Sequence, residues 1–290
     1  MKNLKYILVL FIISFSGYNV FAQDETEEAK EDKVIRPMFE SAYLMDNQSV
    51  LVYPEKTLEF VMQHRFGTIE EGLTDFYGIY GITNIRLGLT YVPFKNLAVG
   101  YGITKDKLYQ DFNIKYAILQ QTRSGSTPVS LTYYGNAGID ARAEEEIDFF
   151  ANSSDRLSYY HQLIVARKVS SKLSLQLSPS YSHFNAVPAF LDNGEVKGTM
   201  NNDHLAIDIS GRLKVTSQGS ITFGYNQPIT DHFSNDPSSN LSFGYEIATS
   251  SHAFQVFMGN YWGIVPQVNN FHNQNTKFLI GFNMTRLWSF

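Results

Sequence analysis

The sequence predicts an all-β protein: a transmembrane antiparallel β-barrel of about twelve strands behind an N-terminal signal peptide. Three observations predict it. From Lys56 onward, apolar residues alternate with polar or small ones at a period of two, segment after segment. The joins between these segments run alternately long and short, as external loops and periplasmic turns do in an outer-membrane barrel. Aromatic residues stand near the ends of the apolar faces, at Tyr91, Tyr159, Tyr181, Tyr225 and Trp288, where a membrane–water interface favours them.

Residues 1–22 have the three parts of a secretory signal. Lys2 and Lys5 give a positive start, Tyr6 to Phe15 an apolar run, and Val20-Phe21-Ala22 a cleavage site before Gln23. The run is short and fades through Ser14, Ser16, Gly17 and Asn19, unlike a membrane anchor. Residues 23–33 (QDETEEAKEDK) are acidic and aperiodic, a solvated linker. Residues 34–55 are more apolar but lack a clean period. Placed between the linker and the first strand, this segment is expected to enter the barrel from the periplasmic side as a plug. The barrel itself is assigned to residues 56–290.

Within that span the alternation is explicit. Leu58, Phe60 and Met62 alternate with Glu59, Val61 and Gln63; Ile85, Leu87, Leu89 and Tyr91 with Arg86, Gly88 and Thr90. Leu97–Thr104 and Phe112–Ile118 repeat the pattern, and LSLQLSPSYS (173–182) shows it most cleanly. Further strands are read near Val129–Ile139, Leu157–Arg167, Leu205–Val215, Ile221–Gln227, Leu241–Ile247 and His252–Met258. The last runs from Phe278 to Phe290 and is expected to close the ring against Lys56–Phe66, because an open edge cannot persist in hydrocarbon. One join departs from the long–short rule: Lys105–Gln110 is briefer than an external loop should be. A secreted β-sandwich would share the alternation; the join lengths and the interfacial aromatics favour the barrel.

Composition agrees. The chain has 22 Phe and 18 Tyr but only 18% charged residues. Its mean hydropathy of −0.19 is what an apolar outer face and a polar lumen average to. Cys is absent, so disulfides are excluded. The net charge of −5 leaves no basic surplus for nucleic acid.

If the apolar parity faces lipid, the other lines the lumen. That set includes Glu59, Gln63, Arg65, Arg86, Asp111, Asn113, Lys115, Gln162, Asp208, Arg212, Lys214 and Glu246. Charges of both signs suggest ion pairs packing a narrow barrel, since an unpaired buried charge costs several kcal/mol. Small inward residues such as Gly88, Gly100 and Gly102 leave room for water or for the N-terminal segment. His204, Asp208 and Ser210 share a face, the one constellation reminiscent of a hydrolase, but strand geometry spaces them too far apart for direct hydrogen bonds without long side chains. No GxSxG, HExxH or phosphate-binding glycine loop occurs, the histidines lack metal-ligand spacing, and no cofactor is expected. The Asn/Gln-rich stretch NNFHNQN (269–275) and the acidic stretch AEEEIDFFANSSD (143–155) read as solvated external loops, with sugars and lipopolysaccharide-bridging cations as their ligands if they bind any.

The stretches LEFVMQHRFG (58–67), QDFNIKYAILQQTRSG (110–125), RLSYYHQLIVARK (156–168), NLSFGYEIATSSHAFQ (240–255) and FLIGFNMTRLW (278–288) resemble an uncharacterised family of Gram-negative outer-membrane β-barrels known only as a domain of unknown function. The likeness spans the chain from Arg36 and implies a barrel in the outer membrane, bringing no ligand or catalytic residue with it. The terminal Phe290 resembles the signal read by the barrel assembly machinery, with Arg286 a departure from that pattern. Outer-membrane lipids and lipopolysaccharide are the expected surroundings. The function expected is a channel or transporter for small solutes; a structural or ligand-binding barrel acting through its loops is the alternative, and a membrane-embedded esterase a third class.

Overall fold

A computed structural model of the chain describes residues 32–143 and 150–290. The expected signal peptide, nearly all of the expected acidic linker and residues 144–149 lie outside the described residues. In chain order the strands begin with β1 (Tyr43–Leu44) and β2 (Asn47–Gln48), a minimal hairpin. There follow β3 (Thr57–Thr68), β4 (Asn84–Phe94), β5 (Leu97–Thr104), β6 (Gln110–Leu119), β7 (Ser130–Ile139), β8 (Leu157–Lys168) and β9 (Leu173–Phe184). A second hairpin, β10 (Ala189–Asp192) and β11 (Glu195–Thr199), precedes β12 (Asp203–Lys214), β13 (Gly219–Pro228), β14 (Asn240–Ala248), β15 (His252–Gly259) and β16 (Leu279–Ser289). A short helix, α1 (Pro266–His272), lies between β15 and β16.

The strands β3–β9 and β12–β16 form one closed antiparallel barrel of twelve, each paired with its neighbour in sequence. The ring closes as the alternation requires: β16 pairs with β3 from Leu279↔Thr68 to Ser289↔Thr57. Serines and glutamine of β9 (Ser174, Gln176, Ser178, Ser180, Ser182) are buried inside, while Leu173, Leu175 and Leu177 face out. Around the outside, Leu87, Leu89, Val99, Ile103, Phe112, Ile114 and Ile118 are exposed. An apolar belt of this extent is unfavourable in water and favourable in hydrocarbon. Because the wall strands pair with one another around a closed ring, the wall presents no open sheet edge to hydrocarbon.

The joins separate the two rims. Turns such as Lys95–Asn96 and Ser250–Ser251 lie on the rim that also holds Thr57 and Ser289, the periplasmic side by loop length. On that rim the join of residues 120–129 is longer than the rest, and it is where the incoming chain docks. Ile35 N donates to Gln121 O and Arg123 N to Lys33 O, at 3.0 and 2.9 Å. On the opposite rim, the β10–β11 hairpin turns at Asn193-Gly194, both with positive φ (52° and 80°), which Asn and Gly tolerate best.

The small inward residues leave room for something specific. Gly88 and Gly102 face each other across β4 and β5, and the Arg86 guanidinium lies against both. A Cβ on Gly102 would overlap that guanidinium, which two bonds to Asp111 hold in place. Gly102→Val is therefore expected to destabilise the barrel by about 1–3 kcal/mol, read from urea unfolding in phospholipid vesicles.

Candidate functional site

Two segments enter the lumen, one from each rim. From the periplasmic side come residues 38–53, which carry the β1–β2 hairpin. Their backbone is held by side chains of the wall. Gln255 Nε2 donates to Tyr43 O (2.8 Å), and Asn283 Nδ2 to Met45 O (2.7 Å). Lys115 Nζ donates to Ala42 O (3.1 Å), Gln176 Nε2 to Gln48 O (2.8 Å) and Thr132 Oγ1 to Val50 O (2.8 Å). Met45 N donates to Gln255 Oε1 at 3.1 Å. These anchors come from β6, β7, β9, β15 and β16, so the segment is gripped from around the ring. It adds no strand to the wall; its two short strands pair only with each other.

The grip is also apolar. Met38, Phe39, Leu44 and Val50 pack against Tyr134, Tyr160, Ile164 and Ala166 of β7 and β8. Tyr43 and Tyr53 pack on Val61, Val92 and Ala98, and Met45 on Phe257 and Tyr261. The inner wall is thus less polar than strict alternation implies. Tyr160 and Ile164 point inward within RLSYYHQLIVARK, where both faces are apolar enough to hide the parity.

From the external rim the β15–β16 join folds inward as α1 instead of remaining a solvated loop. Val268, Asn269, Asn270 and Phe271 are buried. Gln267 Nε2 donates to Asn136 Oδ1 (2.8 Å). The two inserts meet: Asn269 Nδ2 donates to Asp46 Oδ2 at the tip of the β1–β2 hairpin (3.0 Å). The Pro at the first helical position is the sequence signal for this helix.

Most of the lumen residues named from sequence are buried inside the ring: Glu59, Gln63, Arg65, Arg86, Asp111, Lys115, Gln162, Asp208, Arg212 and Glu246. Asn113 and Lys214 are only partly buried. Arg86 makes a two-pronged pair with Asp111 (Nε–Oδ1 2.8 Å, Nη2–Oδ2 2.7 Å), and Asn136 Nδ2 donates to the same carboxylate (2.9 Å). Arg212 binds Glu246 (3.0 Å) and reaches Glu40 on the incoming segment (3.3 Å). Arg65 donates to Asn283 Oδ1 (3.0 Å) and lies over the Phe257 ring (4.7 Å to its centroid). Gln162 Nε2 donates to Asn47 Oδ1 at 2.8 Å. Sequence reasoning missed Glu40, Asp46 and Asn47, since the segment that carries them has no period, and Gln176, Gln255 and Asn283, whose parity did mark them.

The aromatics fall into two sets. Trp288 and Tyr91 flank Leu58 across neighbouring strands near the periplasmic rim, both exposed on the outer face. Tyr159, Tyr181 and Tyr225 lie toward the external ends of β8, β9 and β13, partly exposed. Phe290 follows β16, its N–H donating to Lys56 O (3.2 Å) and its side chain exposed. Arg286 turns to Ser251 and His252 at the same rim (2.9 Å to each).

The three residues reminiscent of a hydrolase do not act together. Contrary to the spacing expected along a strand, Ser210 Oγ does reach Asp208 and donates to its Oδ1 (2.7 Å), but His204 is six residues away from Ser210, about 20 Å, and pairs with His232. That histidine pair is ordered by the backbone. Asn201 N donates to His232 Nδ1 (3.1 Å), so the His232 proton sits on Nε2 and is donated to His204 Nδ1 (3.1 Å). Burial holds the His232 imidazole below its usual range, against the opposing pull of Asp236 and Asp231. Phe271 of α1 packs edge-on against both rings. The pair therefore fastens an external loop to the inserted helix. Among the described residues no cluster of three or more His, Asp or Glu has the arrangement of a metal site.

The model of a family described as a membrane bound beta barrel domain (DUF5777) matches residues 39–288. Among solved structures, an outer membrane channel from Pseudomonas putida F1 superposes with a TM-score of 0.50 at 11% identity, over 82% of this chain and 97% of that one. The NanC porin gives 0.48 at 9% identity, over 80% and 99%. The KdgM porin gives 0.43 at 9% identity, over 81% and 99%. The likeness to the Pseudomonas putida channel is one of fold. No curated protein matches the chain.

Proposed function

We propose, from the premise that the chain belongs to the DUF5777 family of membrane-bound β-barrel domains, that it is an outer-membrane channel for small solutes whose lumen is closed by its own N-terminal segment. The observation that carries this reading is the way residues 38–53 are held. The wall is complete without them, and their bonds to it run through side chains such as Lys115, Gln176, Gln255 and Asn283. A segment bound in this manner can leave without unzipping a strand. The buried pairs Arg86–Asp111 and Arg212–Glu246 stay with the wall and keep an emptied lumen polar and charged. Outside, the apolar belt is covered by lipid, and Phe290 at the end of β16 serves as the assembly signal.

Deleting residues 34–53 from the full chain tests it. In planar bilayers the deleted form is expected to conduct at a level at least several-fold above the intact protein, and proteoliposomes carrying it to swell in small-sugar solutions. Equal conductance of the two forms would remove the plug from the account. A barrel that stays closed in both forms would favour a purely structural role, with the ion pairs as packing.

A further inference from the structure

At the periplasmic mouth a cavity of about 490 Å³ opens between the two arms of the inserted segment and the wall. Pro37 and Met38 of the entering arm, Leu51 and Val52 of the returning arm, and Ala117 and Leu119 of β6 give it a mostly apolar lining. Its volume is within the range of small-ligand sites, roughly 300–1,000 Å³. A methylene takes up about as much space as a water molecule in the liquid, roughly 30 Å³, so one alkyl chain of about ten carbons fits and a diacyl lipid does not.

Positive charge prevails around this cavity. Arg36 and Lys95 line it, both exposed, and among the described residues neither is in an ion pair. Lys168 stands beside them, its Nζ donating to Pro37 O at 3.4 Å. Against these three, Glu55 is the one carboxylate among the described residues of the lining. Other acids of the entering arm are engaged elsewhere: Asp32 accepts from Ser124 N (3.3 Å), and Glu40 pairs with Arg212 (3.3 Å). The wall turns of this rim (95–96, 120–129, 169–172, 215–218 and 249–251) carry Lys95, Arg123 and Lys172 and no Asp or Glu. An apolar chamber under a cationic mouth fits a molecule with an alkyl tail and an anionic head. A neutral chain leaves the cations unused, and a cationic one is repelled.

We propose that the cavity binds a single-chain fatty carboxylate, its tail along Met38, Leu51 and Leu119 and its head between Arg36 and Lys95, and that its occupancy holds the gate shut. The cavity has one wall on each arm of the segment and one on the barrel, so it exists only while the segment is in place. A ligand bound there stabilises the closed state by linkage. The effect on the gate rests on the plugged-channel reading; the binding does not.

The full-length protein in phospholipid nanodiscs is photolysed with a diazirine-bearing decanoate, and the adducts are mapped by peptide mass spectrometry. Saturable labelling is expected within residues 34–38, 50–55 or 117–120, displaced by excess decanoate but not by decyltrimethylammonium. Phe112, exposed on the lipid-facing wall, should take up label without saturating. Arg36→Gln/Lys95→Gln should raise half-saturation about tenfold, through loss of charge-assisted bonds to the carboxylate. Lys95→Glu alone, in an exposed turn, should raise it to a similar extent and serves if the double variant does not fold. In planar bilayers, decanoate at saturation should cut the openings of the intact protein several-fold and leave those of the form lacking residues 34–53 unchanged. Label that is nowhere saturable, that decyltrimethylammonium displaces equally, or whose half-saturation is unchanged in the folded variants overturns the site. Unchanged openings with the site saturated overturn its hold on the gate. Saturable label without conductance in the deleted form would retain the site and overturn the channel; conductance in the deleted form without saturable label would do the reverse.

Discussion

Asp111→Ala is expected to destabilise the folded barrel by about 3–5 kcal/mol, the usual cost of stripping one partner from a buried ion pair. Arg86 and Asp111 are both buried in the outer half of the lumen, joined by two bonds of 2.8 and 2.7 Å. Removing the carboxylate leaves the guanidinium with Gln63 Oε1 at 3.2 Å as its remaining side-chain acceptor. It also frees Asn136, whose Nδ2 donates to Asp111 and whose Oδ1 receives Gln267 of α1. The loss should therefore reach the external insert, seen as faster proteolysis of the 260–278 loop in intact vesicles. Asp111→Asn keeps the shape and loses the charge, and should fall between. The double change Arg86→Met/Asp111→Leu should recover most of the stability, because a paired apolar replacement leaves no charge stranded. Urea unfolding in phospholipid vesicles measures all three. A loss below about 1 kcal/mol for Asp111→Ala would mean that water already reaches the pair.

Much of this was legible in the chain. In the wall strands, outward apolar and inward positions differ by one residue of parity, a signal clear in β9 and broken on the outer face of β16 only by Arg286. Ring closure followed from hydrocarbon's intolerance of an open edge, and the register of β16 on β3 bears it out. Other features depend on contacts between residues distant in sequence. Residues 38–53 look aperiodic because their neighbours are not one sheet but the inside of a ring: Met38 and Leu44 meet tyrosines of β7 and β8, while Tyr43 and Tyr53 meet Val61 and Ala98. Asp46 and Asn269 are 223 residues apart, and nothing local marks either as the other's partner. The helix α1 was hidden by composition, since Asn and Gln in PQVNNFHNQN read as a wet loop until the lumen supplies partners. The small residues of β4 and β5 were read as free space; that space is the seat of Arg86.

In the proposed channel, residues 38–53 are a displaceable gate. Ser41 on that segment and Thr285 on β16 are both buried, with Oγ and Oγ1 3.3 Å apart. A sulfur in place of each oxygen needs only a small shift to reach disulfide distance, about 2.05 Å. With no native cysteine, Ser41→Cys/Thr285→Cys carries the only thiols in the protein. A disulfide there ties the gate to the wall and removes its open state from the equilibrium. Single-channel recording of this variant before and after reduction is the most direct test. No openings are expected while oxidised and, after dithiothreitol, openings that approach the conductance of the barrel lacking residues 34–53. Identical conductance in the oxidised and reduced protein would contradict it.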